Sequence, residues 1–372
     1  MIPTVVAFKV EPGAVTALGG LVLRQSQGAA TYVKALEHNE ASEIGDGIFD
    51  IIENQLRYLR YYAQENSRRA LSLADTSSRA LVRTAEFYLA NDQAQAAKLD
   101  RTYPAAAATP KAADELPAGV ASDGFTDVKD VSGYQGPGEV DLENDIKWPD
   151  LLERKLAQLG DLSSNAAKLA KYVEGLVGWN PIEKVSQVIA GDWNAIYRES
   201  RVMADTAKGF EAITANVQRG RFAIQHRWEG NAAAGAENWL DEYARACAEH
   251  AAYCREAAEK VSQLAQAAYH RYHSLEMALG CLIDTLTELV LAKQLNSIGA
   301  HIDDAIDLVF GGGPLKKLIK TVKTLAGEIT TYTDVLWALA HEFVGIVQLA
   351  RSQGEVVAAR WPCAPYDHPG VR

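Results

Sequence analysis

Cysteine is scarce: Cys247, Cys254, Cys281 and Cys363 are the only four in 372 residues, too few for a disulfide scaffold. Their pairing and the redox compartment stay open. Long apolar runs are also missing. The best candidates, residues 277–292 and 335–350, are broken by Asp284 and Glu288 and by His341 and Glu342. Both fall short of the ~20 residues a spanning helix needs. Residues 1–22 lack a basic stretch followed by an apolar run, so no general secretory signal peptide is expected, and any export should use an internal signal. Positive charge is in deficit, with 37 Lys and Arg against 48 Asp and Glu and a net charge of -11. Such a chain repels polyanions, so no nucleic-acid partner is expected.

Catalytic and cofactor signatures are absent too. There is no H-E-x-x-H, no di-iron E-x-x-H pair, no G-x-S-x-G, no nucleotide-binding glycine loop and no CxxC. A non-enzyme without cofactor, metal or catalytic residues is expected. Gly311-Gly312-Gly313-Pro314-Leu315-Lys316-Lys317 fails the spacing of a phosphate loop and follows no strand, so it reads as a hinge between helices. Cys247, His250 and Cys254 share one helical face and are residue types that bind zinc. Both cysteines also lie on an apolar seam, where a thiol packs as a small hydrophobe. Core packing, a disulfide to another helix and a metal site are the three readings of that trio.

What is present is helical periodicity. Of the chain, 48% is hydrophobic, ample for a buried core. Val15, Leu18, Val22, Ala29, Val33 and Leu36 mark a first helix over about residues 11–38. A second stripe, opening with Ile48, Ile51, Ile52, Leu56 and Leu59, continues to about residue 99. The short connection makes the two an antiparallel hairpin. Asn180-Pro181-Ile182-Glu183 combines an N-cap, proline at the first helical position and a first-turn glutamate. The stripe from Ile182 through Trp193, Met203, Phe210 and Val217 to Ile224 follows. After Trp228-Glu229-Gly230, with Asn231 as the expected cap, Leu240, Tyr243, Cys247, Ala251, Cys254 and Ala258 form a coiled-coil-like seam of three- and four-residue steps.

The fold class is therefore all-α: long antiparallel helical hairpins packed as an elongated four-helix bundle, plus a C-terminal set of shorter helices. Residues 1–102 form an N-terminal hairpin, 103–146 a Pro/Ala/Gly-rich linker and 147–275 a second hairpin. Residues 276–360 form the C-terminal helices, read as separate pieces at 275–295, 301–310, 314–330 and 334–353, and 361–372 a frayed tail. Within the C-terminal region, Lys316, Lys317, Lys320 and Lys323 flank Leu318, Ile319, Val322 and Leu325. This basic amphipathic helix suits either an acidic membrane, reached through residues 276–350, or closure of the bundle.

A long helical hairpin turning at W-x-G resembles the WXG superfamily of type VII secretion substrates, and Trp228-Glu229-Gly230-Asn231-Ala232-Ala233-Ala234 is similar to that turn and its follow-on. Members carry a second signal, Y-x-x-x-[DE], at the end of a helix in the partner hairpin. Of the matches at Tyr61, Tyr88 and Tyr272, only Tyr88-Leu89-Ala90-Asn91-Asp92 ends an N-terminal hairpin just before a linker. The i, i+4 spacing would put Tyr88 and Asp92 on one helical face for a receptor to read together. The order of parts resembles a PE- or EspC-like hairpin fused to a PPE-like one, as in EspB-like substrates. The resemblance spans roughly residues 10–275. It implies export of the folded bundle through an ESX-type system, with Tyr88, Asp92, Trp228 and Gly230 as a composite signal. It further implies a cytoplasmic stage before secretion to the surface or medium, recognition by the secretion ATPase and a chaperone, homo-oligomerisation, and a non-enzymatic, virulence-associated role. A membrane-active helical protein using the C-terminal helices is the alternative.

Overall fold

The computed structural model describes residues 8–39, 44–45, 47–91, 93–101, 124–131, 134, 174, 192–291 and 313–368. Helix α1, Pro12–His38, starts on a proline whose missing N–H has no partner to lose at that position. It ends where the Asn39 side chain donates to the Ala35 carbonyl at 2.8 Å. Helix α2, Ile48–Ala90, follows Gly47, whose N–H donates to the Asp50 carboxylate at 3.0 Å. A short α3, Gln93–Asp100, comes next. Helix α4, Trp193–Ile224, is capped by the Asp192 carboxylate, which accepts from the Ala195 N–H at 2.8 Å. The start expected at Asn180-Pro181 lies outside the described residues. Helices α5, Asn231–Leu291, and α6, Gly313–Arg360, complete the set.

The protein is all-α. Among the described residues the only paired strands are the two-residue β1, Lys9–Val10, and β2, Trp228–Glu229. α1 and α2 are antiparallel, since Gly19 lies against Ser78 and Val82 while Gln64 donates to the Leu36 carbonyl at 3.2 Å. α4 and α5 form the second hairpin, with Thr214 beside Ala244 and Arg221 paired with Asp241. α1 closes on α4 where Tyr32 meets Gly209, a glycine because a β-carbon there would overlap the Tyr32 ring.

The expected seams are the buried ones. Trp193, Ile196, Met203, Phe210, Ile213 and Val217 on α4 face Leu240, Tyr243, Cys247, Ala251, Cys254 and Val261 on α5, all in the core. Between the hairpins, Arg60 on α2 and Glu199 on α4 make a bidentate pair at 2.6 and 3.1 Å, with side chains only 4% and 3% exposed.

The C-terminal region differs from the expectation of several shorter helices. The helix from Asn231 runs unbroken through residue 275 to Leu291, and one 48-residue helix stands where two were expected at 314–330 and 334–353. The Thr330–Thr333 stretch does not interrupt α6. Its hydroxyls donate to carbonyls one turn back (Thr330 to Ala326, Thr331 to Gly327, Thr333 to Ile329, all at 2.8–3.0 Å) while Tyr332 stays on the buried face. α6 lies in the groove between α2 and α5. The Tyr62 hydroxyl donates to Glu355 at 2.9 Å, and Arg360 donates to Glu249 at 2.9 Å.

Lys317, Lys320 and Lys323 are exposed, while Val322, Leu325 and Ile329 belong to the core. The apolar side of the basic helix therefore closes the bundle. No helix among the described residues is long and apolar enough to cross a membrane.

Part of the stretch read as linker is docked. Asn216, fully buried on α4, accepts from the N–H groups of Val128 and Lys129 at 2.7 and 3.0 Å and donates to the Lys129 carbonyl at 2.8 Å. Arg24 pairs with Asp127 at 2.9 Å, and Phe125 and Val131 are buried.

Candidate functional site

The end of the bundle where α2 finishes is also where α4 turns into α5. α2 stops at Ala90 because Asn91 leaves the helical conformation, its N–H and side-chain amide both donating to the Phe87 carbonyl at 3.2 and 2.8 Å. Tyr88 therefore sits in the last turn. Its ring is 5% exposed and turned inward. Asp92 itself lies outside the described residues.

The W-E-G turn is held from the other side by the N-terminal segment. Val10 pairs with Trp228 and Lys9 with Glu229, the Glu11 N–H donates to the Arg227 carbonyl at 2.8 Å, and Lys9 Nζ donates to the His226 carbonyl at 2.7 Å. Trp228 is 1% exposed, and its indole N–H finds no acceptor among the described residues. Its ring meets the Tyr88 ring edge to face, centroids 6.1 Å apart and planes at 74°. Tyr366 packs on Trp228 at 6.2 Å. Tyr88 is in turn contacted by Phe8 at 6.0 Å, Phe87 at 5.8 Å and His368 at 5.7 Å. Edge-to-face pairs at these separations are favourable beyond the area they bury.

Gly230 has φ +129, a conformation side chains rarely adopt, and a β-carbon there would lie 2.7 Å from Asp100 Oδ2. Asp100 supplies the cap expected of Asn231. Its two carboxylate oxygens accept from the N–H groups of Asn231 and Ala232, both at 2.9 Å, while the Asn231 side chain donates to the Asp100 carbonyl at 3.1 Å. A carboxylate on the first free amides of a 61-residue helix satisfies orphan donors and complements the helix dipole. α3 thus carries the chain from the tyrosine motif directly onto the W-x-G helix.

Residues 361–368 of the tail are packed where fraying was expected. Trp361, Tyr366 and His368 are buried, and the His368 Nε2 and Tyr88 hydroxyl share a hydrogen bond at 3.3 Å. Burial pushes the His368 imidazole below its ordinary value, against the opposing pull of the Asp100 and Asp367 carboxylates.

Of the residues singled out by sequence, Tyr88, Trp228 and Gly230 come together here. Phe8, Asp100, Tyr366 and His368 were not singled out. Asp100 carried no signal, because Asn231 itself was available in sequence as the cap of its helix.

The Cys247, His250 and Cys254 trio is a core feature. His250 is fully buried, its Nε2 2.9 Å from the Ser67 hydroxyl and its ring 4.4 Å from Phe210, and burial pushes its pKa down to about 3. Burial also pushes both thiols up, away from the thiolate a metal or a reaction would need. Cys247 and Cys254 are buried, while Cys281 and Cys363 are exposed. Among the described residues no three His, Cys, Asp or Glu gather as a metal site.

No family model, curated protein or solved structure matches the chain.

Proposed function

We propose that the chain is a substrate of a type VII (ESX-type) secretion system, exported as a folded helical bundle and acting outside the cell without catalysis. The single observation that carries the reading is the edge-to-face contact of Tyr88 and Trp228 at 6.1 Å. Tyr88 and Trp228 come from different hairpins and meet at one end of the bundle, which supports a composite W-x-G and Y-x-x-x-D signal. The glycine of the W-x-G has its own physical reason, since only glycine accommodates both its φ of +129 and the neighbouring Asp100 carboxylate.

The partners in this reading are the secretion ATPase and a secretion chaperone, with homo-oligomerisation implied by the same resemblance. The site residues are Tyr88, Asp92, Trp228 and Gly230, with Asp100 holding the turn in shape. A membrane-active role would require α6 to detach, because its apolar side packs on α2 and α5.

The test compares culture filtrate with cell pellet for Tyr88→Ala, Tyr88→Phe and Trp228→Ala in a strain with a working type VII system. Circular dichroism of each purified variant separates misfolding from loss of signal. Folded Tyr88→Ala and Trp228→Ala should remain in the pellet. Normal export of both, with folds intact, would mean that the two aromatics only hold the bundle together.

A further inference from the structure

Residues 361–368 are not helical, yet they are anchored at four separate points. Trp361 Nε1 donates to Asn66 Oδ1 at 2.8 Å, Trp239 Nε1 donates to the Ala364 carbonyl at 3.2 Å, the Tyr366 N–H donates to Ser77 Oγ at 2.8 Å, and His368 bonds the Tyr88 hydroxyl at 3.3 Å. Three of the four partners lie on α2. Asn66, Ser77 and Tyr88 recur at eleven-residue intervals, about three helical turns, and so share one face. Asn66 and Ser77 are polar side chains at 1% and 0% exposure, and each uses its oxygen to accept from this segment.

The segment has the build of an extended peptide ligand. Pro362 and Pro365 disfavour helix at and before their positions. Trp361, Tyr366 and His368 point in, while Cys363, Ala364 and Asp367 face out. Aromatic anchors in pockets with polar groups reading the backbone between them are a general mode of peptide recognition. The far end of the segment rests on the two aromatics at the bundle end: Tyr366 on Trp228 and His368 on Tyr88.

We propose that residues 361–368 are an intramolecular ligand of the face formed by α2 and α5, and that a partner reaches Tyr88 and Trp228 only by displacing them. The site recognises an extended peptide with tryptophan, tyrosine and histidine in the register of Trp361, Tyr366 and His368. That the displacing partner belongs to the secretion machinery rests on the function proposed above; the exchange of the tail does not.

Hydroxyl-radical footprinting of the intact chain, read residue by residue by mass spectrometry, tests this. In the wild type Tyr88, Trp228, Trp361 and Tyr366 should be protected. Tyr366→Ala should raise labelling of Tyr88 and Trp228 several-fold, and a synthetic peptide of residues 361–368 added to that variant should restore protection. Ser77→Ala removes one anchor without touching an aromatic ring, and should give a smaller rise; it decides the matter if Tyr366→Ala loses helical structure. Unchanged labelling of Tyr88 and Trp228 in both variants overturns the proposal, as does a wild-type tail labelled like that of the unfolded chain. Normal export of folded Tyr88→Ala and Trp228→Ala would overturn the composite-signal reading and leave the footprint result standing.

Discussion

The Asp100 carboxylate lies where a side chain on Gly230 would have to go: a β-carbon there would sit 2.7 Å from Oδ2. The same carboxylate caps α5 through Asn231 and Ala232. Gly230→Ala should therefore destabilise the protein by about 1–3 kcal/mol from backbone strain alone. Asp100→Ala should lose roughly 1–2 kcal/mol of capping and dipole stabilisation. The two sites are coupled, so the double variant should lose less than the sum, measured by urea unfolding. Simple additivity would show that the close approach is relieved elsewhere.

Glu199 and Arg60 pair inside the bundle between the two hairpins. Glu199→Gln removes the carboxylate charge from the buried pair and should cost about 3–5 kcal/mol. Arg60→Met combined with Glu199→Leu removes both charges and should recover most of that loss. Equal destabilisation of single and double variants in denaturant melts would mean the pair contributes through packing alone.

His250 should stay neutral in the folded protein at every ordinary pH. Its pKa is pushed down by burial from 6.5 to about 3, so below pH 6.5 the unfolded chain binds a proton that the folded chain refuses. The stabilisation is fully present above pH 6.5 and is lost as pH falls, at a rate approaching about 1.4 kcal/mol per pH unit until the folded imidazole titrates near 3. The His250 ring resonances should not move between pH 7.5 and 5, and the acid slope of stability should shrink in His250→Gln. A His250 resonance titrating near 6.5 contradicts the burial argument.

The helices were legible because their periodicity is local. Val15 and Leu18 on α1, Phe210 and Ile213 on α4, and Cys247 and Cys254 on α5 lie on the stripes that sequence alone marks, and all are buried. The length of α6 was not legible. Thr330, Thr331 and Thr333 look like a break, and only the tertiary seam through Tyr332 and Leu336, with hydroxyls bonding back to the helix, carries it through.

At the site, the tyrosine and the W-x-G turn could be read from placement relative to the hairpins. Asp100 and the tail could not, because their contacts join residues far apart in sequence. Prolines that suggest a frayed end instead hold Trp361 and Tyr366 in an extended register against α2.

The central claim, that the chain leaves the cell by a type VII route, is tested most directly by following the wild-type chain in two strains that differ only in the secretion ATPase. It should accumulate in the culture filtrate of the strain with the ATPase and stay wholly in the pellet of the strain without it. Equal amounts in both filtrates, or retention in both pellets, would contradict it.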